Sequence, residues 1–367
     1  MKTRLVNFLK NIPGYRTNRR LLAFAVDDYG NLRVKDKASQ IEFHNAGMPE
    51  RSIFDKLDTL ETADDLSALF DVLESFRDIN SNPVCFTPYA LCCNPNYQEM
   101  ARSDFAEYKN ELLTETFSKV PGGMQSWEAW QYGIKSRLFV PAFHGREHLN
   151  VRLVSDALKH KDPKIRIAFQ LGSFSNVEQK KYPSFYAAFD QVDSSDTALH
   201  KDIILDGLQK FEEVFGFRAI NFNAPGGRES HDLHQTLIDN GIEFIDSGFE
   251  KLITLPQGKV QKEYMWMGKK TATGLRVVLR NGVFEPASNS KALESAFSQI
   301  ATAFRLGKPA VVSSHRFNFS GSIDENNRKK SLADLKKLLS LVQKVYPDVE
   351  FVSTAELGNI MKGKDYV

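Results

Sequence analysis

The feature that most constrains this chain is its rhythm. Short, wholly apolar runs alternate with longer amphipathic ones from about residue 21 to about residue 360. "LLAFAV" (21–26) is apolar at every position, which suits a strand buried on both faces. "PVCFTPY", "RLFVPAF", "IRIAFQLG", "RAINF", "IEFIDSG", "PAVVSSH" and "VEFVS" read as further strands. Between them lie helical patterns. "ETADDLSALFDVLESFR" can be capped by Thr62 and carries an apolar stripe of Leu66, Leu69, Phe70, Leu73 and Phe76. "SWEAWQYGIKS", "LVSDALKH", "IILDGLQKFEEVFG", "HDLHQTLIDNG", "SKALESAFSQIATAFRLG", "NNRKKSLADLKKLLSLVQKVY" and "TAELGNIM" continue the series. "YMWMGKKTATGLRVVLRNG" reads as two strands that can close as a hairpin. Repeated β-then-α order implies a mainly parallel sheet with right-handed crossovers. The expected fold is α/β: a distorted (β/α) barrel, closed or incomplete, with its strands mainly parallel. Residues 1–20 form an N-terminal extension, and 21–367 one barrel domain with an insertion within about 31–131.

In such barrels functional groups gather at the carboxyl ends of the strands. The unusual polar residues of this chain fall there. Asp27 and Asp28 follow "LLAFAV", and His144 and His148 follow "RLFVPAF". Asn223, Gly226 and Gly227 follow "RAINF", Asp246 follows "EFI", and His315 follows "AVVSS". Two adjacent carboxylates repel each other unless a cation holds one of them. Two histidines and one carboxylate make a catalytic metal set with a position left open. Asp28, His144 and His148 are therefore the candidate ligands. Asp27 remains free as a general base, and His315 can protonate a leaving group.

These motifs resemble those of the polysaccharide deacetylase (NodB-homology) family of metal-dependent carbohydrate esterases. "AVDDYG" is similar to the family's first motif, which implies Asp27 as base and Asp28 as ligand. "HGREH" resembles its H-[ST]-x-x-H motif, with Gly145 in place of the hydroxyl residue, and implies His144 and His148 as ligands. "NAPGG" matches R-x-P-x-G at Pro225 and Gly227, but Asn223 stands where the arginine that orients the catalytic Asp is expected; Arg228 is the candidate substitute. Asp246 stands for the fourth motif. "AVVSSHRFNF" resembles the fifth and nominates His315 as catalytic acid. The resemblance runs from about residue 21 to 357. "HGREHLN" and "HRFNFSG" also resemble a divergent subgroup associated with bacterial surface polysaccharides. The segment from about Asn31 to Gln131 is longer than the family pattern and is expected to form a lid or a groove wall. The resemblance implies removal of acetyl groups from an N- or O-acetylated carbohydrate with a divalent metal; two histidines and one aspartate suit zinc, with nickel, cobalt and iron as alternatives. Tyr29, Trp127, Trp130 and Phe317 are candidates to stack on sugar rings, and Asn318 to hydrogen-bond substrate.

Plainer readings stand beside this one. "DDYG" also suits a turn, and His144 with His148 a wet surface pair. His231 and His234 read as surface or capping residues; His44, His160 and His200 have no evident partners. "HGREH" satisfies H-x-x-E-H too, a protease signature with Glu147 as base, but that needs a helix. A metal-loaded carbohydrate-binding barrel without turnover is the other alternative. With 42% hydrophobic residues, 26% charged and a net charge of +2, nothing points to nucleic acid. No run is long and apolar enough for a transmembrane segment. "MKTRLVNFLKNIPGYRTNRR" reads as a leader strand or short helix, with an interfacial anchor as the alternative. Three clustered thiols, Cys85, Cys92 and Cys93, fit a reducing, cytoplasmic setting.

Overall fold

The structure, a computed structural model, describes residues 2–177 and 182–363. Its centre is one sheet whose strand pairings are all parallel. From one edge the strands run 276–279, 244–247, 221–222, 142–143, 86–90, 20–29, 310–315 and 282–283, with 349–351 also pairing 20–29. The sheet curls strongly but does not close, giving an incomplete (β/α) barrel. Leu21–Val26 are 0–1% exposed, as a strand apolar on both faces requires. Helices such as Ala63–Glu74 and Glu325–Val345 bury one leucine-rich face against it. Thr62 and Asp65 cap the first of these reciprocally.

Register explains why one edge of this sheet collects the polar groups. Phe143 aligns with Phe222, and Phe222 with Ile245. His144, Asn223 and Asp246 therefore each lie one residue beyond the same level. Asp27 aligns with His315 on the neighbouring strand. The pairing of 20–29 with 86–90 slips between Val26 and Tyr29, a bulge that re-aims the residues inside it. Asp28, inside it, has φ 74°, a left-handed conformation that Asp tolerates better than bulkier residues.

One sequence expectation fails here, and another holds only in part. "IRIAFQLG" is not a strand: Pro163–Gln170 is a helix. Asp162 caps it by accepting from the N–H groups of Lys164 and Ile165, and Pro163 takes the first turn. Its buried Ile165, Ala168 and Phe169 follow helical spacing into a second apolar cluster. "YMWMGKKTATGLRVVLRNG" closes as a hairpin only over its middle, where Lys270 bridges Arg276 antiparallel and the Val277 N–H bonds to the Lys269 carbonyl at 2.8 Å. Lys259–Tyr264 pairs antiparallel with Glu250–Leu255, while Arg276–Leu279 joins the main sheet parallel to Phe244–Ser247. That second half is a barrel strand, and it ends at Arg280.

Candidate functional site

At the carboxyl edge of the sheet lies a cavity of about 640 Å³ lined by Asp27, Asp28, His144, His148, Asn223, Arg280 and His315, among others. The Nε2 atoms of His144 and His148 approach the same oxygen of Asp28, at 3.3 and 2.9 Å. Nδ1 of His144 lies 2.7 Å from the Asn223 carbonyl oxygen. A carbonyl only accepts, so Nδ1 carries a proton, and Nε2 is the ring atom turned toward Asp28. The donor atoms of these three residues lie within 4.8 Å of one another. Two imidazole nitrogens and one carboxylate oxygen, nearly buried and converging, could hold a divalent ion. Burial pushes the Asp28 carboxyl up, but the charge of His148 and the hydrogen bonds of both histidines hold it well below the usual carboxylate range.

Asp27 points to a different partner. Its two oxygens accept from Arg280, Nη1 at 2.5 Å and Nη2 at 2.8 Å. Asn223 Nδ2 donates to it at 3.3 Å. Burial raises the Asp27 carboxyl, but Arg280 first, then His144 and His315, keep it below its ordinary value. The Arg280 guanidinium lies over the Tyr89 ring at 4.6 Å, with Nε 3.5 Å from Asp246. Asp246 is fully buried behind Arg280, and burial lifts its carboxyl to about 6 despite that neighbour. It thus braces the arginine and does not reach the cavity.

His315 sits across the cavity, Nε2 4.0 Å from Asp27, with Nδ1 2.7 Å from Glu285. Burial pushes this imidazole down. The Glu285 hydrogen bond and charge, with those of Asp28 and Asp27, outweigh it and raise the pKa to about 9. Asn318 donates to Glu285 at 2.5 Å and is wholly buried, so it steadies the carboxylate and is not placed to meet substrate. Arg228 lines the cavity but pairs with Asp190 at 2.7 and 2.9 Å, not with Asp27, whose arginine partner is Arg280. Tyr29 is 1% exposed, packed edge-on against Trp130 and Phe139. Trp130 is buried and donates to Glu61 at 2.7 Å. Trp127 packs on Phe117 and Phe215, and Phe317 is 2% exposed. None of these four lines the cavity. The aromatic rings there are Phe54 and Tyr186, which sandwich the buried Arg33 at 5.0 and 4.2 Å. Arg33, Ser52 and Phe54 belong to the 31–131 stretch, so part of it walls the cavity.

"HGREH" is loop, and the helix begins only at Val151. Gly145 has φ 104°, and a Cβ there would meet Pro225 at 3.2 Å, which accounts for glycine where a hydroxyl residue was expected. Glu147 is buried against Arg146 and Tyr108 and does not line the cavity. It is not placed as a protease base. His234 is buried beside Glu229 and is not a surface residue.

Sequence reasoning missed Arg280 and Glu285. A signal existed for both: each is polar and follows an apolar strand, 276–279 or 282–283. Reading 264–282 as a self-contained strand pair hid that signal for Arg280; Glu285 lies just beyond that stretch.

Among solved structures, a putative glycoside hydrolase/deacetylase from Parabacteroides distasonis matches with a TM-score of 0.51 at 10% identity, covering 96% of this chain and 73% of that one. A putative polysaccharide deacetylase from Mycobacterium smegmatis matches at 0.46 and 13%, covering 97% and 94%. Puue allantoinase matches at 0.48 and 10%, covering 97% and 96%. No family model and no curated protein sequence matches the chain. The protein therefore shares the incomplete-barrel fold of the first of these structures, and at such identity the likeness concerns fold alone. Fold and site together define an incomplete (β/α) barrel with a candidate two-histidine, one-aspartate metal centre.

Proposed function

We propose that the protein is a metal-dependent hydrolase that removes acetyl groups from an N- or O-acetylated carbohydrate. The observation that carries this is the convergence of Asp28, His144 and His148 on one point, between an arginine-held Asp27 and a glutamate-held His315. A borderline ion such as zinc suits this donor set. When bound, it would supply Lewis acidity toward a carbonyl and a more acidic water.

The chain's own residues would do the rest. Near neutral pH Asp27 is ionised and His315 protonated, because their surroundings push their pKa values apart. Asp27, fixed by the two-pronged Arg280 contact, would accept a proton from the attacking water. His315 would deliver one from Nε2 to the departing amine or alkoxide, since Nδ1 is committed to Glu285. Phe54 and Tyr186 offer apolar surface to a sugar ring. Against the non-catalytic alternative speaks the Arg280 contact with both oxygens of Asp27, as an orienting arginine would make it. No helix is long and apolar enough to cross a membrane among the described residues. Cys85, Cys92 and Cys93 are buried and unpaired, which supports a reducing, cytoplasmic setting.

The test is metal analysis of wild type and of His144→Ala/His148→Ala, followed by acetate release from acetylated oligosaccharides. One equivalent of metal in wild type only, with acetate released, is expected. Metal without acetate release would favour the binding barrel. A wild type that stays metal-free after incubation with zinc would end the metallohydrolase reading.

A further inference from the structure

The N-terminal helix, Lys2–Leu9, and the turn after it are packed with their polarity reversed. Leu5, Val6, Phe8, Leu9 and Ile12 are 58, 47, 40, 45 and 42% exposed. Lys10 and Asn11 are buried instead. Leu5, Leu9 and Ile12 follow i, i+4, i+7 spacing, so they share one face. Five of the thirteen large apolar side chains exposed among the described residues fall in these eight positions; the other eight are spread through the chain, and single ones are ordinary.

This is not a loose end of chain. Lys308 Nζ donates to the carbonyls of Pro13, Gly14 and Tyr15 at 2.9, 2.7 and 2.9 Å. Asn281 donates to Asn11 at 2.8 Å, and the Tyr15 and Thr17 N–H groups bond to Met267 and Gly307. The segment is fastened through its polar side, which leaves the apolar side outward. Burying a lysine while exposing leucines is unfavourable in water. It becomes favourable when the outer face meets an apolar medium.

Charge selects that medium. The first twenty residues contain Lys2, Arg4, Lys10, Arg16, Arg19 and Arg20, and no acidic residue precedes Asp27. Arg19 and Arg20 pair with Glu350 and Asp348, and the segment stays cationic after those pairs. A second copy docking on this face would bring like charges together. Five side chains also fall well short of the roughly 800 Å² per partner of a stable interface. An anionic lipid surface satisfies both requirements, taking the apolar face among its acyl chains and the cations among its headgroups.

We propose that this helix docks the protein peripherally on anionic membranes. Gly307 and Lys308, which hold this segment, precede the strand 310–315, whose other end carries His315, so the docking face lies at the end of the barrel away from the cavity. The cavity then opens toward water, where a glycan would be reached. The test is co-sedimentation of the full chain with phosphatidylcholine vesicles, with and without phosphatidylglycerol, at low and high salt. Binding that requires the anionic lipid and weakens with salt is expected. Leu5→Asp/Leu9→Asp should weaken it at least about tenfold without changing the thermal midpoint, because both side chains are exposed. No binding to anionic vesicles at low salt would overturn the proposal. So would equal binding by the variant, equal binding to neutral lipid, or a wild-type dimer that the variant abolishes.

Discussion

Removing the Arg280 side chain as Arg280→Met tests the site at its most constrained contact. Asp27 is 7% exposed, and two of its contacts are the 2.5 and 2.8 Å bonds from Arg280. After the substitution its remaining polar neighbours are Asn223 at 3.3 Å and His315 at 4.0 Å. Asp246 loses its nearest cation as well. Leaving a buried charge without its partner costs about 3–5 kcal/mol. The converse change, Asp27→Asn, costs less, about 1–3 kcal/mol, because Arg280 keeps Asp246 at 3.5 Å. The double variant has no stranded carboxylate at position 27, so the single costs should exceed the double cost by up to about 3 kcal/mol. Arg280→Lys should not rescue, because an ammonium cannot make the paired contact. The assay is urea unfolding of chelator-treated protein, followed by tryptophan fluorescence and circular dichroism to check that the transitions coincide. Additivity within about 0.5 kcal/mol would mean that Arg280 and Asp27 do not form this pair, and the proposed orientation of the base would fall with it.

His315, raised to about 9 chiefly against burial by Glu285, should show that value in an NMR titration of its ring protons. Its stabilisation is complete below the ordinary histidine value and is lost as pH rises through about 9; Glu285→Gln should lower the pKa and flatten that alkaline loss. Burial raises Glu229, but Lys251 and His234 hold it at about 2. This stabilisation is present above the ordinary glutamate value and is lost as pH falls toward 2, and Lys251→Met should cost about 3–5 kcal/mol at neutral pH, read from urea midpoints. Gly145→Ser, toward the expected motif residue, should destabilise by about 1–3 kcal/mol because φ is positive and Pro225 is close. Zinc at about a hundred times its dissociation constant should stabilise wild type by about 2.7 kcal/mol and leave His144→Ala/His148→Ala unmoved, as differential scanning calorimetry would show.

The strands that were legible are those whose two faces are both buried, because "LLAFAV" and "AVVSSH" have no other use for so many apolar side chains. Their ends were legible for the same reason, since an acid or histidine directly after such a run has only the mouth to face. The helix at Pro163–Gln170 was not, because "IRIA" alternates like a strand and only the Asp162-Pro163 start reveals its period. Tyr29 illustrates a subtler limit. One residue of slip at the Val26–Tyr29 bulge moves a side chain from the mouth to the core, and no composition rule announces the slip. Arg280 follows a different logic. A guanidinium that steadies Asp27 must occupy one place in space, but several strands of a curled sheet end near that place. The guanidinium beside Asp27 comes here from the strand after Asp246, while Asn223, two residues before Pro225, is the weaker donor. A motif fixes sequence position only where the backbone itself takes part, as at Asn223, whose carbonyl oxygen orients His144. Where only a side-chain terminus matters, chain position is free to change, and the missing group has to be sought among strand ends in three dimensions.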